Sequence, residues 1–207
     1  MSFIGPFGWD NNYNYVSQTN NPTESFLGKM KIIVPGVTPL QSCGPSSSTI
    51  GSAIKVGYDK IVPKNRGEYK AQPEEMLMDF FQDTRFTDKF LAIRSDYKWK
   101  STPFNEVPQY YPYAVKMVFN VDAEFTWASS MVDVIGYLRN GWPVQICLKN
   151  PGHYILAAAY DMDNDEIRYH DPWPGRHADG NGFNRIMTRK EFESNVKPFA
   201  IVYKGSL

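Results

Sequence analysis

Residues 143–173, PVQICLKNPGHYILAAAYDMDNDEIRYHDPW, contain three runs that are typical of β-strands. Residues 143–148 and 153–160 are compact apolar runs with the length of buried strands. Residues 161–165 are rich in turn-forming side chains, and residues 166–170 then alternate apolar and polar side chains. We therefore expect the second and third runs to form an antiparallel hairpin within a larger sheet.

Helical signals precede these strands. A helix is predicted to begin just after Cys43 and to end at Gly57, with Pro45 at its first position, where a missing N–H is harmless. A second helix should begin at Pro73, and a third should cover residues 129–140, whose apolar side chains recur at helical spacing. Helices that come early and antiparallel strands that come late indicate an α+β fold. The remaining predicted strands are residues 183–187 and 199–203.

We expect one domain over residues 1–207, with an irregular arm over about residues 1–30. The arm has no periodicity, and we expect it to wrap onto the core and not to form a substrate platform. Residues 84–122 carry many aromatic side chains and chain breakers, and they are expected to shape substrate specificity. The side chains expected to pack the arm are Phe3, Phe7, Trp9, Tyr13 and Tyr15.

Composition restricts the partners of the chain. Its 207 residues include 22 basic and 22 acidic side chains, so a net charge of zero favours neither nucleic acid nor an anionic membrane surface. No run of about 18 apolar residues is present, and we expect no membrane insertion. The N-terminal sequence does not resemble a secretory signal, so we expect synthesis in the cytoplasm, and action outside the cell would need another route of release. We also expect a monomer.

The chain has two cysteines in very different surroundings. Cys147 lies in VQICL, where a cysteine acts as a small buried apolar side chain. Cys43 lies in LQSCGPSSSTIG, which is not a core pattern. No spacing of cysteine or histidine is typical of a zinc site, and we expect no metal and no cofactor.

Cys43 stands where a helix is predicted to begin. The free N–H groups of a first helical turn stabilise negative charge, so we expect them to lower the pKa of the thiol and to hold an oxyanion. Gly44 permits close backbone approach, and the small side chains that follow Pro45 would leave space for a substrate.

A nucleophilic thiol needs a base, and His153 opens a predicted strand after a turn. Asp171 ends the neighbouring strand, 18 residues later, so the predicted hairpin would bring it opposite His153. Trp173 could then cover the pair from water. The other two histidines are weaker candidates: His170 ends the same strand as Asp171, and His177 lies in a loop-like segment and is expected to be solvated.

The stretches LQSCGPSSSTIG and LRNGWPVQICLKNPGHYILAAAYDMDNDEIRYHDPW together resemble the papain-like cysteine peptidases, in particular the bacteriocin-processing (double-glycine) branch. The resemblance implies a papain-like fold in which N-terminal helices pack on an antiparallel sheet. It also implies that Cys43 is the nucleophile, His153 the general base and Asp171 the residue that orients His153. The family places its oxyanion-hole glutamine several residues before the cysteine. Here Gln41 is the candidate, and Ser42 or the Cys43 backbone N–H are the alternatives.

These features predict a cysteine peptidase that hydrolyses peptide bonds through a Cys-His-Asp triad. As substrate we expect the peptide part of peptidoglycan, as for a phage lysin or an effector. A peptidase of protein or peptide substrates is the alternative. Two further hypotheses are an acyltransferase of transglutaminase type with the same triad and a binding protein on an inactive peptidase fold.

Overall fold

The computed structural model describes residues 2–19, 42–62, 72–82, 87–93, 107–128 and 130–205. In chain order, its helices are α1 Cys43–Val56, α2 Tyr58–Ile61, α3 Pro73–Gln82, α4 Thr87–Ile93, α5 Tyr111–Phe119, α6 Met131–Arg139 and α7 Arg189–Asn195. Its strands are β1 Phe3–Ile4, β2 Asp122–Thr126, β3 Val144–Leu148, β4 His153–Asp161, β5 Glu166–His170, β6 Arg185–Thr188 and β7 Val196–Gly205.

The strands form one antiparallel sheet in the order β2-β7-β3-β4-β5-β6, and β1 pairs with the far end of β4. The predicted hairpin is present, with Asp161 opposite Glu166 and Leu156 opposite His170. Strand β4 begins three residues before Leu156, the partner of the last residue of β5, so His153 lies past the end of β5 while it still pairs with Leu148 of β3. This end of the sheet carries the side chains discussed below.

Helices cover both faces of the sheet. On one face, α1 and α5 pack against the sheet and α3 packs on these two helices, while α6 and α7 cover the other face. Every residue of β3 is buried, which explains why its sequence is apolar except for Gln145. The α+β fold with helices packed on an antiparallel sheet is therefore confirmed.

Helix α1 lies unusually close to its neighbours. A methyl group at Gly51 would come within 2.7 Å of the Tyr203 ring, and one at Gly44 would overlap the Tyr111 hydroxyl. The serines of this helix are fully buried, so the expectation that its small side chains leave space for a substrate is wrong. They are small because the sheet, α3 and α5 approach the helix on several sides.

A buried polar cluster ties α1 to the sheet. The Ser48 hydroxyl donates to Gln145 Oε1 at 2.7 Å, and the Tyr203 hydroxyl lies 2.5 Å from the same oxygen. Gln145 Nε2 donates to the Gly44 carbonyl at 3.4 Å. The first turn of α1 is thus held directly by Gln145 of β3, and Tyr203 of β7 in turn holds Gln145, as buried polar groups are usually hydrogen-bonded.

The N-terminal arm wraps onto the core over its described part, residues 2–19. Trp9 contacts Phe3, and Tyr13 contacts Tyr58 of α2. The expectation that Phe7 packs is wrong, because this side chain is fully exposed. It sits in a turn before Gly8, whose φ of 73° reverses the chain and directs Phe7 outward.

Three elements within or next to the aromatic segment 84–122 escaped the sequence analysis, as did the four-residue α2 and the two-residue β1. Helix α5 begins after a 3-10 turn and has a proline in its own first turn, so its pattern is short and irregular. Strand β2 is a half-exposed edge strand and lacks a strong apolar signature. Helix α4 has only seven residues. Short elements of this kind depend on tertiary contacts more than on local propensity.

Glu74 supplies a testable consequence of burial. The sequence favours it as a negative charge near the start of α3, yet its side chain is fully buried, and neither carboxylate oxygen has a hydrogen-bond partner within the described residues. Burial raises the pKa of Glu74 to about 8. The backbone N–H of Glu74 itself partly offsets this increase, and the charge of the neighbouring Glu75 adds to it. The folded protein therefore keeps this proton to a higher pH than the unfolded chain does.

We predict that the free energy of unfolding of the wild type falls as pH rises from about 4.5 to about 8, since the stability from the bound proton is complete only below the unfolded pKa. Glu74→Gln should remove this slope and increase stability at pH 7 by roughly 3 kcal/mol. Urea unfolding across this range measures both effects, with exposed Glu193→Gln as the control. Parallel slopes for wild type and Glu74→Gln would contradict the prediction.

Candidate active site

Cys43 is the first residue of α1, so the helix begins two residues earlier than Pro45 suggested. The backbone N–H groups of Gly44 and of Tyr154 lie within hydrogen-bonding reach of its sulfur. Tyr154 is the second residue of β4, and the thiol therefore lies against the peptide that follows His153.

The surroundings of this thiol differ from expectation. The sequence predicts a lowered pKa at a helix start, but burial raises the pKa of Cys43 to about 11, and the two N–H groups only partly offset this effect. Desolvation prevails because the sulfur is enclosed by protein, although the residue as a whole is partly exposed. Without a proton acceptor, the thiol stays neutral at neutral pH.

His153 and Asp171 form a buried pair. His153 Nε2 lies 2.6 Å from Asp171 Oδ1, and the two residues are only 3% and 1% exposed. The hairpin of β4 and β5 produces this contact, as its length predicts. The Trp173 ring packs edge-on against the imidazole at 6.1 Å, and its backbone N–H donates to Asp171 Oδ1 at 2.8 Å.

The charge of Asp171 determines how the imidazole is protonated. Burial alone would raise the pKa of Asp171, but the hydrogen bond and the charge of His153, with the Trp173 N–H, hold the pKa below its usual value. An ionised carboxylate only accepts hydrogen bonds, so His153 donates from Nε2. A neutral His153 then carries its lone pair on Nδ1, which is the position where a ring nitrogen can act as a base.

The other oxygen of Asp171 has a partner that the sequence analysis missed. His177 Nε2 lies 3.0 Å from Asp171 Oδ2, and its side chain is 13% exposed, so the expectation of a solvated His177 is wrong. The 3-10 turn Pro174–Arg176 folds the chain back toward Asp171 and brings His177 there. Arg176 Nε lies 3.7 Å from the same oxygen. A histidine six residues after an acidic residue is too general a signal to reveal this contact.

The arm and a later loop hold the backbone around Asp171. The Tyr15 hydroxyl donates to the Asp171 carbonyl at 2.7 Å, and the Gln18 N–H donates to the Pro172 carbonyl at 2.8 Å. The Asp171 N–H donates to the Gly182 carbonyl at 2.8 Å. These contacts fix the turn that ends β5 and thereby the direction of the carboxylate.

His170 belongs to this support. Its Nδ1 accepts the Asn184 N–H at 3.1 Å, and its Nε2 therefore donates to the Trp9 carbonyl at 2.8 Å. Burial lowers the pKa of His170 to about 4, which keeps the ring neutral and in this hydrogen-bonded form. The ring also stacks on Phe183 at 4.7 Å, so His170 connects the arm to the loop beyond Asp171.

Comparison with known proteins identifies the family. The model of the Peptidase_C39 like family matches residues 10–197. The chain belongs to this family. The match confirms the resemblance seen in the sequence and makes the protein a cysteine peptidase, a hydrolase, of the papain-like fold.

Solved structures similar to this C39-like peptidase include other peptidase domains. The peptidase domain of ComA from Streptococcus, a bifunctional ABC transporter of a quorum-sensing pathway, is 15% identical, with 84% of this chain and 97% of that chain covered and a TM-score of 0.43. A double-glycine protease from an AMS/PCAT transporter, in complex with a leader peptide, is 13% identical, with 79% and 84% covered and a TM-score of 0.41.

The C39-like domain of a toxin secretion ATP-binding protein from Vibrio parahaemolyticus is 15% identical, with 47% and 69% covered and a TM-score of 0.35. These scores are all below 0.5, and the family assignment rests on the family model. No curated protein matches the C39-like peptidase. Within its described residues, none of the helices combines the length and apolar character that a membrane crossing needs.

The oxyanion-hole candidate Gln41 lies outside the described residues. Of the alternatives, Ser42 precedes α1 and is fully buried, and the Cys43 backbone N–H belongs to the first turn of that helix. First-turn amides are available to acceptors outside the helix.

Gly182 offers a test of the support around Asp171. A methyl group there would overlap the Asp171 carbonyl and the Tyr15 hydroxyl. We predict that Gly182→Ala lowers the free energy of unfolding by roughly 1–3 kcal/mol because it overpacks this turn. Thermal unfolding measures the loss. Gly136→Ala is the matched control, since nothing lies within 4 Å of its added methyl on α6, and it should stabilise slightly. Equal melting temperatures for wild type and Gly182→Ala would contradict the prediction.

Proposed function

We propose that this peptidase hydrolyses peptide bonds with Cys43 as nucleophile, His153 as general base and acid, and Asp171 as the residue that orients His153. The observation that carries the proposal is the buried 2.6 Å contact between His153 Nε2 and Asp171 Oδ1. That contact leaves Nδ1 as the basic atom of the His153 ring. The backbone N–H of the next residue, Tyr154, lies within hydrogen-bonding reach of the Cys43 sulfur.

The reaction would begin when His153 Nδ1 accepts the proton of the Cys43 thiol. The thiolate attacks the carbonyl carbon of the substrate, and the backbone N–H of Cys43 stabilises the oxyanion, together with Gln41. His153 then donates the proton to the leaving amine, and an acyl-enzyme remains on Cys43. Water, deprotonated by His153, attacks the thioester and releases the acid.

The raised pKa of Cys43 gives His153 a specific task. A thiol with a pKa of about 11 has about a 300-fold smaller thiolate fraction at neutral pH than an ordinary cysteine. Formation of the thiolate therefore depends on a neighbouring acceptor whose positive charge compensates the sulfur. The Asp171 carboxylate stabilises that charge on His153, so the acid contributes although it does not touch the sulfur.

We predict that iodoacetamide alkylates Cys43 readily at pH 7 in the wild type. In His153→Ala the rate should fall by about a hundredfold or more at pH 7 and rise with pH toward about 11, because only the thiolate reacts. Peptide mapping by mass spectrometry separates Cys43 from Cys147. Identical pH profiles for the two proteins would contradict a role for His153.

For the substrate, we propose the peptide part of peptidoglycan, as the sequence led us to expect. The second candidate is a leader peptide with a double-glycine motif, because a similar solved protein is a double-glycine protease bound to a leader peptide. Both contain peptide bonds that the same three residues could cleave. An acyl transfer to an amine would use the same acyl-enzyme and differ only in the final acceptor.

We predict that the wild type releases peptide fragments from purified cell walls and that Cys43→Ala reduces release at least a thousandfold. Cys147→Ala is the matched control because it removes the other thiol, buried in β3, and it should retain activity. Mass spectrometry identifies the bond that is cut.

The same assay distinguishes the alternatives. Intact cell walls together with a cleaved double-glycine peptide would overturn the peptidoglycan substrate but retain the peptidase. An amide product in the presence of a labelled amine would overturn hydrolysis. Full activity in Cys43→Ala would overturn every catalytic form of the proposal.

A further inference from the structure

The Asp171 carboxylate is shared by two imidazoles. Oδ1 accepts from His153 Nε2 at 2.6 Å and from the Trp173 N–H at 2.8 Å, and Oδ2 lies 3.0 Å from His177 Nε2. Since the pKa of Asp171 is held low, the carboxylate is an acceptor, and both rings donate to it from Nε2. The triad described above uses only the first of these oxygens.

His177 is itself held in place. The backbone N–H of His177 donates to the Pro174 carbonyl at 3.0 Å, and the backbone carbonyl of His177 accepts the Gly180 N–H at 2.9 Å. The ring is therefore presented on a short folded segment whose two ends are hydrogen-bonded. By contrast, Arg176 lies 3.7 Å from Oδ2, which is too long for a hydrogen bond and leaves only a charge interaction.

A hydrogen bond to Oδ2 affects Oδ1 through simple geometry. The two oxygens belong to one planar group, and rotation about the bond to Cγ moves both of them together. A donor that fixes Oδ2 therefore fixes the direction of the lone pairs on Oδ1, which His153 Nε2 meets at 2.6 Å. In metal sites, partners that orient a ligand side chain change activity by about 10–100-fold when they are removed, and we expect an effect of the same order here.

We propose that His177 is a positioning residue that fixes the Asp171 carboxylate through Oδ2, so that Oδ1 keeps His153 oriented toward the Cys43 thiol. The inference rests on the proposed roles of Cys43, His153 and Asp171. It adds a residue that touches neither the sulfur nor the substrate and acts only through the acid.

The test measures alkylation of Cys43 by iodoacetamide at pH 7, which needs no identified substrate. His177→Ala should lower the rate by about 10–100-fold. His177→Gln should stay within about threefold of the wild type, since its side-chain amide presents an N–H near the place of Nε2. His177→Asn, whose amide is one carbon shorter and does not reach Oδ2, should resemble His177→Ala.

A second readout follows the His153–Asp171 hydrogen bond directly. A short histidine–carboxylate bond gives a far-downfield proton resonance, which should persist in His177→Gln and weaken or shift in His177→Ala and His177→Asn. If His177 only held the loop in place, its replacement would lower the melting temperature, but the resonance would not distinguish His177→Gln from His177→Asn. If His177→Ala does not fold, the comparison of His177→Gln with His177→Asn still tests the positioning role of His177.

The outcomes separate this inference from the proposed function. Equal alkylation rates for His177→Gln and His177→Asn, with an unchanged downfield resonance, would overturn the role of His177 alone. If His153→Ala reacts as fast as the wild type, the triad itself fails. A reduced rate in His153→Ala and His177→Asn, with rescue in His177→Gln, supports both.

Discussion

The buried carboxylate of Asp171 is the constraint around which this end of the molecule is built. An ionised carboxylate is stable away from water only when hydrogen-bond donors replace the lost hydration, and removal of one partner of a buried pair typically costs about 3–5 kcal/mol. Here the donors are His153, His177 and the Trp173 amide, with the Arg176 guanidinium nearby. Four parts of the chain must therefore be in place together: the start of β4, the end of β5, the 3-10 turn and the residue after it.

The backbone of Asp171 extends this requirement to the N-terminal arm. Tyr15 and Gln18 bind the carbonyls of Asp171 and Pro172, and Trp9 accepts a hydrogen bond from His170. The arm is thus a structural support for the acid, although its sequence has no regular pattern. The neutral state of His170 fits this role, because a charged ring could not accept the Asn184 N–H.

The thiol depends on a second constraint, the close approach of α1 to the sheet. The absence of side chains at Gly44 and Gly51 permits that approach, and Gln145 holds the first turn through the Gly44 carbonyl. The same tight packing desolvates Cys43 and raises its pKa. The packing that positions the Cys43 thiol therefore also makes its ionisation less favourable. In the mechanism that we propose, a proton acceptor on β4 resolves the conflict, because it stabilises the thiolate without opening the site to water.

Local sequence determined much of this protein. The strands β3, β4 and β5 and the contact between His153 and Asp171 follow from apolar runs, a turn of known length and strand alternation, which are properties of neighbouring residues. The helix near Cys43 follows from Pro45 and Gly57, although it begins two residues earlier than Pro45 suggested. The family match over residues 10–197 confirms the peptidase resemblance carried by the same stretches. These features are predictable because, in an antiparallel hairpin, the position of the turn determines which residues of the two strands lie side by side.

The tertiary structure decided what depends on residues far apart in the chain. The position of His177 on Asp171, the buried serines of α1, the outward direction of Phe7 and the raised pKa of Cys43 each differ from expectation. Local patterns indicate which face of an element is apolar, but they do not indicate how closely another element approaches it. Desolvation and shared hydrogen bonds arise from that approach, so the ionisation of the thiol and the full set of partners of the acid appear only in the folded chain.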